Sequence, residues 1–168
     1  TSTGNARVAS GGNLNIQANG LNNDAARIAA GNVNVALGNA ELSNNGGSIQ
    51  ADATLTIASG TLNNQSGALL ANDSVSVTSA GLNNTDGEIS ATNTLDVRSS
   101  GQVLSTRGQI TSDGDVTLTA TEVIQRQLRF TVGSSLIAEW LYDQQPPPIQ
   151  AGVFHRCRRI TYHSGELH

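Results

Sequence analysis

Leu62-Asn63-Asn64-Gln65-Ser66-Gly67-Ala68-Leu69-Leu70-Ala71-Asn72-Asp73-Ser74-Val75-Ser76-Val77-Thr78-Ser79-Ala80-Gly81 is one period of a pattern that runs through most of this 168-residue chain. Its apolar residues Leu62, Leu69, Val75 and Val77 return as Leu82, Ile89, Leu95 and Val97, and are preceded by Leu42, Ile49, Leu55 and Ile57. Traced outward, they form four columns. The first is Val8, Ile28, Ile49, Leu69, Ile89 and Ile110, at steps of 20, 21, 20, 20 and 21 residues. The second and third are two residues apart: Leu14/Ile16, Val33/Val35, Leu55/Ile57, Val75/Val77, Leu95/Val97 and Val116/Leu118. The fourth is Leu21, Leu42, Leu62, Leu82, Val103 and Val123.

A fixed period of this length determines architecture before any motif does. Between each apolar pair sits a polar or small residue (Asn15, Asn34, Thr56, Ser76, Asp96, Thr117), the alternation of a half-buried strand. No window has helical spacing, and Gly with β-branched residues disfavours a helix. Gly, Asn, Ser and Asp fill the intervals as turn formers. One coil has too few inward side chains to bury anything alone, so coils must stack about 4.8 Å apart, each strand pairing with its equivalent in the next. The expected fold is an all-β parallel β-helix of about 20-residue coils. Burial of each aliphatic side chain contributes roughly 1.5–3 kcal/mol, so stacked columns replace a globular core.

The fourth column carries a second signature: Leu21-Asn22-Asn23, Leu42-Ser43-Asn44, Leu62-Asn63-Asn64 and Leu82-Asn83-Asn84, followed by Ala26, Gly47, Gly67 and Gly87. In register, Asn23, Asn44, Asn64 and Asn84 are expected to hydrogen-bond in a structural ladder, and Asn also tolerates left-handed turns. The Gly column is expected to mark a turn with positive φ. Val103 is followed by Leu104 and Ser105, so the ladder ends there and coil geometry is expected to loosen after residue 100.

Composition divides the chain. Residues 1–120 carry four Arg against nine acidic residues, a net charge of −5, while the remainder has five Arg against four acids. All five aromatics, all three Pro and all three His lie at or after Phe130, and every Asn lies at or before Asn93. Phe130, Leu136 and Ala138 follow Ile110, Val116 and Leu118 by 20 residues, so a degenerate coil is expected there. Trp140 and Leu141 are placed to cover the open end, and Pro146-Pro147-Pro148 cannot continue a ladder. The expected division is a repeat stalk over 1–121, a degenerate coil or cap over 122–142, and an irregular tail over 143–168.

Read from Leu62-Asn63-Asn64 through Gly67, Leu69, Ala71, Val75 and Val77 to Ala80-Gly81, the repeat resembles the filamentous haemagglutinin repeats, over about residues 4–121. These build the stalks of large exoproteins of the two-partner secretion pathway: adhesins, haemolysin-like proteins and contact-dependent growth-inhibition toxins. The resemblance implies a right-handed β-helical stalk, exported by an outer-membrane transporter and secreted or held at the cell surface. Its implied partners are that transporter and a receptor or glycan on a host or neighbouring cell, and its implied role is adhesion or the delivery of a terminal toxin. Neither the family's N-terminal secretion domain nor the motif preceding the toxin is found, and residues 139–168 depart from the pattern.

The net charge of −4 argues against a nucleic-acid surface, which needs clustered cations. No apolar run approaches the roughly 20 residues of a membrane helix. Thr1 to Ala6 do not read as a signal peptide, so the chain is expected to be cytosolic or part of a longer exported one. The one cysteine makes no internal disulfide. A β-helix hydrolase or lyase, the alternative class, needs clustered carboxylates on one outward face. The position between paired strand residues offers only Asp96. Asp113-Gly114-Asp115 is read as a tight turn because it does not repeat as a calcium loop would. His155, Cys157, His163 and His168 match no zinc spacing. Arg156, Cys157, Arg158 and Arg159 are read as a solvated basic cluster, and Cys157 lacks a base to make it a nucleophile. Asn64, Asn72 and Asn83 head N-x-S/T sequons that ladder formation also explains. No catalytic residue, cofactor, metal or small-molecule substrate is therefore expected.

Overall fold

The computed structural model describes residues 6–126, 137–139 and 156–162, the last two segments and residues 125–126 as backbone alone. The expectations placed on Phe130, Leu136, Trp140, Leu141, the proline run, His155, His163 and His168 lie outside the described residues.

Six coils follow one another. They comprise Arg7–Ala9, Asn13–Gln17 and Leu21–Asn22 (β1–β3); Arg27–Ala30, Asn32–Ala36 and Leu42–Ser43 (β4–β6); and Ser48–Ala51, Thr54–Ala58 and Thr61–Asn63 (β7–β9). Next come Ala68–Ala71, Ser74–Ser79 and Gly81–Asn83 (β10–β12), then Glu88–Ala91, Thr94–Ser99 and Gln102–Thr106 (β13–β15). The sixth has Gln109–Ser112 (β16) and the long Asp115–Arg126 (β17), which runs through the corner that other coils break. No helix occurs among the described residues.

One sheet stacks as β1-β4-β7-β10-β13-β16; a second begins β2-β5-β8-β11-β14-β17 and returns through β15-β12-β9-β6-β3. Pairing between coils is parallel and joins the columns residue by residue. Val8 pairs with Ile28, Ile28 with Ile49, Ile49 with Leu69, Leu69 with Ile89 and Ile89 with Ile110. Leu82 pairs with Val103 and Val103 with Val123, so register persists past residue 100. The fold is a β-solenoid of about 20-residue coils, as the spacing requires.

The columns are the core: Ile49, Leu69, Ile89, Leu55, Leu95 and Leu62 are each 0% exposed. Small residues turn inward at the corners, in the columns Ala51, Ala71, Ala91, Ser112 and Ser59, Ser79, Ser99, Ala120. The second coil departs from the period. Val33 pairs with Leu55, 22 residues on. The extra length is a turn at Leu37, whose buried side chain fills the interior while Ala40 N donates to its carbonyl.

At the C-terminal end, Arg156–Tyr162 (β19) pairs antiparallel with β17, Val116 opposite Tyr162, Leu118 opposite Ile160 and Val123 opposite Cys157. Ile137–Glu139 (β18) pairs with β19, which sets Ala138 opposite Ile160 rather than opposite Leu118. A strand thus lies within the tail, along an edge that would otherwise expose unpaired N–H and C=O groups.

Candidate functional site: the asparagine ladder and the polar outer face

The turn that follows the fourth column is built the same way in successive coils. Gly67 N donates to Asn64 O (3.1 Å), and Gly87 N to Asn84 O (3.1 Å). The residue before the glycine holds the left-handed conformation: Ala25, Gly46, Ser66, Asp86 and Arg107, with φ of 52–60°. The expected positive φ at Gly47, Gly67 and Gly87 is therefore corrected by one residue. Glycine stands there for close approach instead. A Cβ on Gly67 would overlap the carbonyl oxygen of Asn44 and lie 2.6 Å from Asn64 Oδ1.

That approach delivers the ladder. Asn23 Nδ2 donates to Asn44 Oδ1 (2.7 Å), Asn44 Nδ2 to Asn64 Oδ1 (2.7 Å) and Asn64 Nδ2 to Asn84 Oδ1 (2.8 Å). The series ends where Asn84 Nδ2 reaches Ser105 Oγ at 3.4 Å. Each amide also faces two carbonyls; for Asn64 these are Gly67 O (3.3 Å) and Glu88 O (3.2 Å). All four Asn are 0% exposed. The structure brings the four residues together inside the solenoid, out of reach of any ligand, and the Asn64 sequon is shut away with them.

Outside, amides and hydroxyls pair along the axis: Asn32 with Asn13 (2.9 Å), Asn93 with Asp73 (2.7 Å), Thr111 with Ser90 (3.2 Å). Acidic groups are dispersed. Asp96 pairs with Arg98 at 2.9 Å. Asp86 takes two bonds of 2.6 Å from Arg107, one coil on, and these hold its carboxyl below the usual carboxylate range against a weaker upward pull from burial. No three His, Cys, Asp or Glu among the described residues gather as a metal site. At Asp113-Gly114-Asp115 a Cβ on the glycine would overlap Asn93 O, so a close corner explains the glycine without calcium.

Between the outward positions of β7, β10, β13 and β16 and the corners beside them runs a groove of about 480 Å³. Gln50, Leu70, Ser90 and Thr111 come from one strand column, and Asn72, Thr92 and Asp113 from the corners. Sequence reasoning passed over these residues because their column is not uniformly polar or apolar. The signal present was their constant place, one residue beyond the first inward column.

A family model described as haemagglutinin repeat matches residues 1–40, 28–99 and 98–138. The chain belongs to the haemagglutinin repeat family. No curated protein and no solved structure matches it. For a haemagglutinin repeat, an aliphatic interior, an internal amide ladder and a polar exterior fit a stalk. The family is structural and adhesive in character rather than enzymatic. Among the described residues no helix is long and apolar enough to cross a membrane.

Proposed function

We propose that this chain is a stalk segment of a secreted, cell-surface haemagglutinin-like exoprotein, that it acts in adhesion or cell contact, and that it has no catalytic role. One observation carries the reading: six stacked coils bury their aliphatic columns while amides, hydroxyls and scattered charges face outward, Val8 being the exposed large hydrophobic residue. Such a surface binds through many weak contacts, so affinity comes from multivalency along the filament and across an array. Residues 1–121 supply the stalk, 122–142 a degenerate coil or cap, and 143–168 a tail. Export by a two-partner outer-membrane transporter accords with the family match. Delivery of a terminal toxin is the second use of the same stalk, and a coding region for a toxin domain downstream would favour it. Beads coated with the 168-residue chain test adhesion directly. They are expected to be retained on epithelial or bacterial cells above bare beads, and equal retention would refute the adhesive role.

A further inference from the structure

We propose that the groove along β7, β10, β13 and β16 binds a neutral oligosaccharide lying along the solenoid axis. This rests on the adhesive reading above and gives it a ligand class and a site. The volume, about 480 Å³, is that of a small-ligand site.

The chemistry of the lining selects the ligand. The side chains of Asn72, Thr92, Gln109 and Asp113 make no hydrogen bond or ion pair with the described residues, whereas Ser90 and Thr111 bond to one another and Gln50 accepts from Arg27. Two amides, a hydroxyl and a carboxylate are thus free on one side of the molecule, able to donate to and accept from vicinal hydroxyls. Leu70 lies in the same lining, an apolar contact for the C–H face of a sugar ring.

Other ligand classes fit less well. A peptide that adds a strand needs a free sheet edge, and β7, β10 and β13 are paired on both sides. A sulfated, sialylated or phosphorylated ligand needs cations, and the lining has none, only the Asp113 carboxylate. The lining side chains stand on stacked parallel strands, which lowers the ordering cost of a weak contact. Because the coils repeat along the axis, successive residues meet the ligand in that direction.

The test uses the 168-residue chain on an immobilised array of defined neutral oligosaccharides, with sulfated and sialylated forms of the same glycans. The best neutral binder is then titrated into the isotope-labelled chain. Expected are capture of a neutral glycan over its charged forms, and amide shifts centred on Leu70, Asn72, Thr92 and Asp113. In N72A/D113A affinity falls about tenfold, the loss of one charge-assisted hydrogen bond, while Thr56→Ala on the other sheet changes nothing. The proposal is overturned by capture of no neutral glycan, by preference for charged forms, or by shifts elsewhere. Coated beads separate it from the adhesive reading. Cell retention unchanged in N72A/D113A refutes the groove and leaves adhesion standing, whereas no retention of the parent chain refutes adhesion itself.

Discussion

Asn44 Nδ2 donates to Asn64 Oδ1 over 2.7 Å, and neither side chain has exposed surface. The bond joins two coils through the interior, parallel to the backbone ladder, and fixes the turn that Gly67 closes. A buried amide is costly unless its groups are bonded; here each is bonded to its own kind one coil away.

Asn64→Ala would leave Asn44 Nδ2 without its neighbour's oxygen and Asn84 Oδ1 without its donor. Unsatisfied buried groups cost about 1–3 kcal/mol each. The variant is expected to unfold at a distinctly lower urea midpoint, with Asn64→Asp no better because it lacks the donor. A midpoint equal to the parent's would show that the ladder adds nothing to stability.

Gly67→Ala and Gly81→Ala form a paired comparison. The first places a methyl group on Asn44 O and is expected to cost at least about 3 kcal/mol, because backbone of two coils must part. The second meets only Gln102 O at 3.8 Å and is expected to be neutral or slightly stabilising, since it restricts the unfolded chain. Thermal melts of both variants would decide; equal losses would contradict the close-approach account.

Ile89→Asp puts an unpaired carboxylate into the first column, between Leu69 and Ile110. A cost of several kcal/mol is expected, enough to abolish the cooperative β transition seen by circular dichroism. Unfolding that matches the parent's would mean that Ile89 does not face inward.

Asp86 and Arg107 give a pH dependence of known sign. The Arg107 hydrogen bonds depress the folded-state pKa of Asp86, so the stabilisation is present above the ordinary carboxylate pKa and lost as pH falls through the depressed one. The pair is exposed, and the effect on stability is correspondingly small. Arg107→Ala is expected to return the Asp86 titration, followed by carbon-detected NMR, to the ordinary range. An unmoved titration would show that the pair does not form in solution.

Much of this was legible before the structure. The four apolar columns and the Asn series carry a period, and a period is read without knowing any contact. Less legible were features that depend on how coils meet. Gly67 reads as a positive-φ turn residue, but the left-handed position is Ser66, because glycine at the next place admits the carbonyl below. Leu37 lies outside the columns and is buried only because the second coil is lengthened at that corner. Ser105 ends the ladder as an acceptor, which its hydroxyl allows but its place after Leu104 does not announce. The groove arises from side chains 20 residues apart that share no motif, so only stacking assembles it.

Hydrogen–deuterium exchange on the 168-residue chain tests the stacked-coil account most directly, because amides such as Asn64, Ser66 and Ile89 are protected only if neighbouring coils bond to them. The account predicts slow exchange recurring at about 20-residue intervals from β4 to β17, strongest in the central coils. Fast exchange throughout residues 26–120 would contradict it.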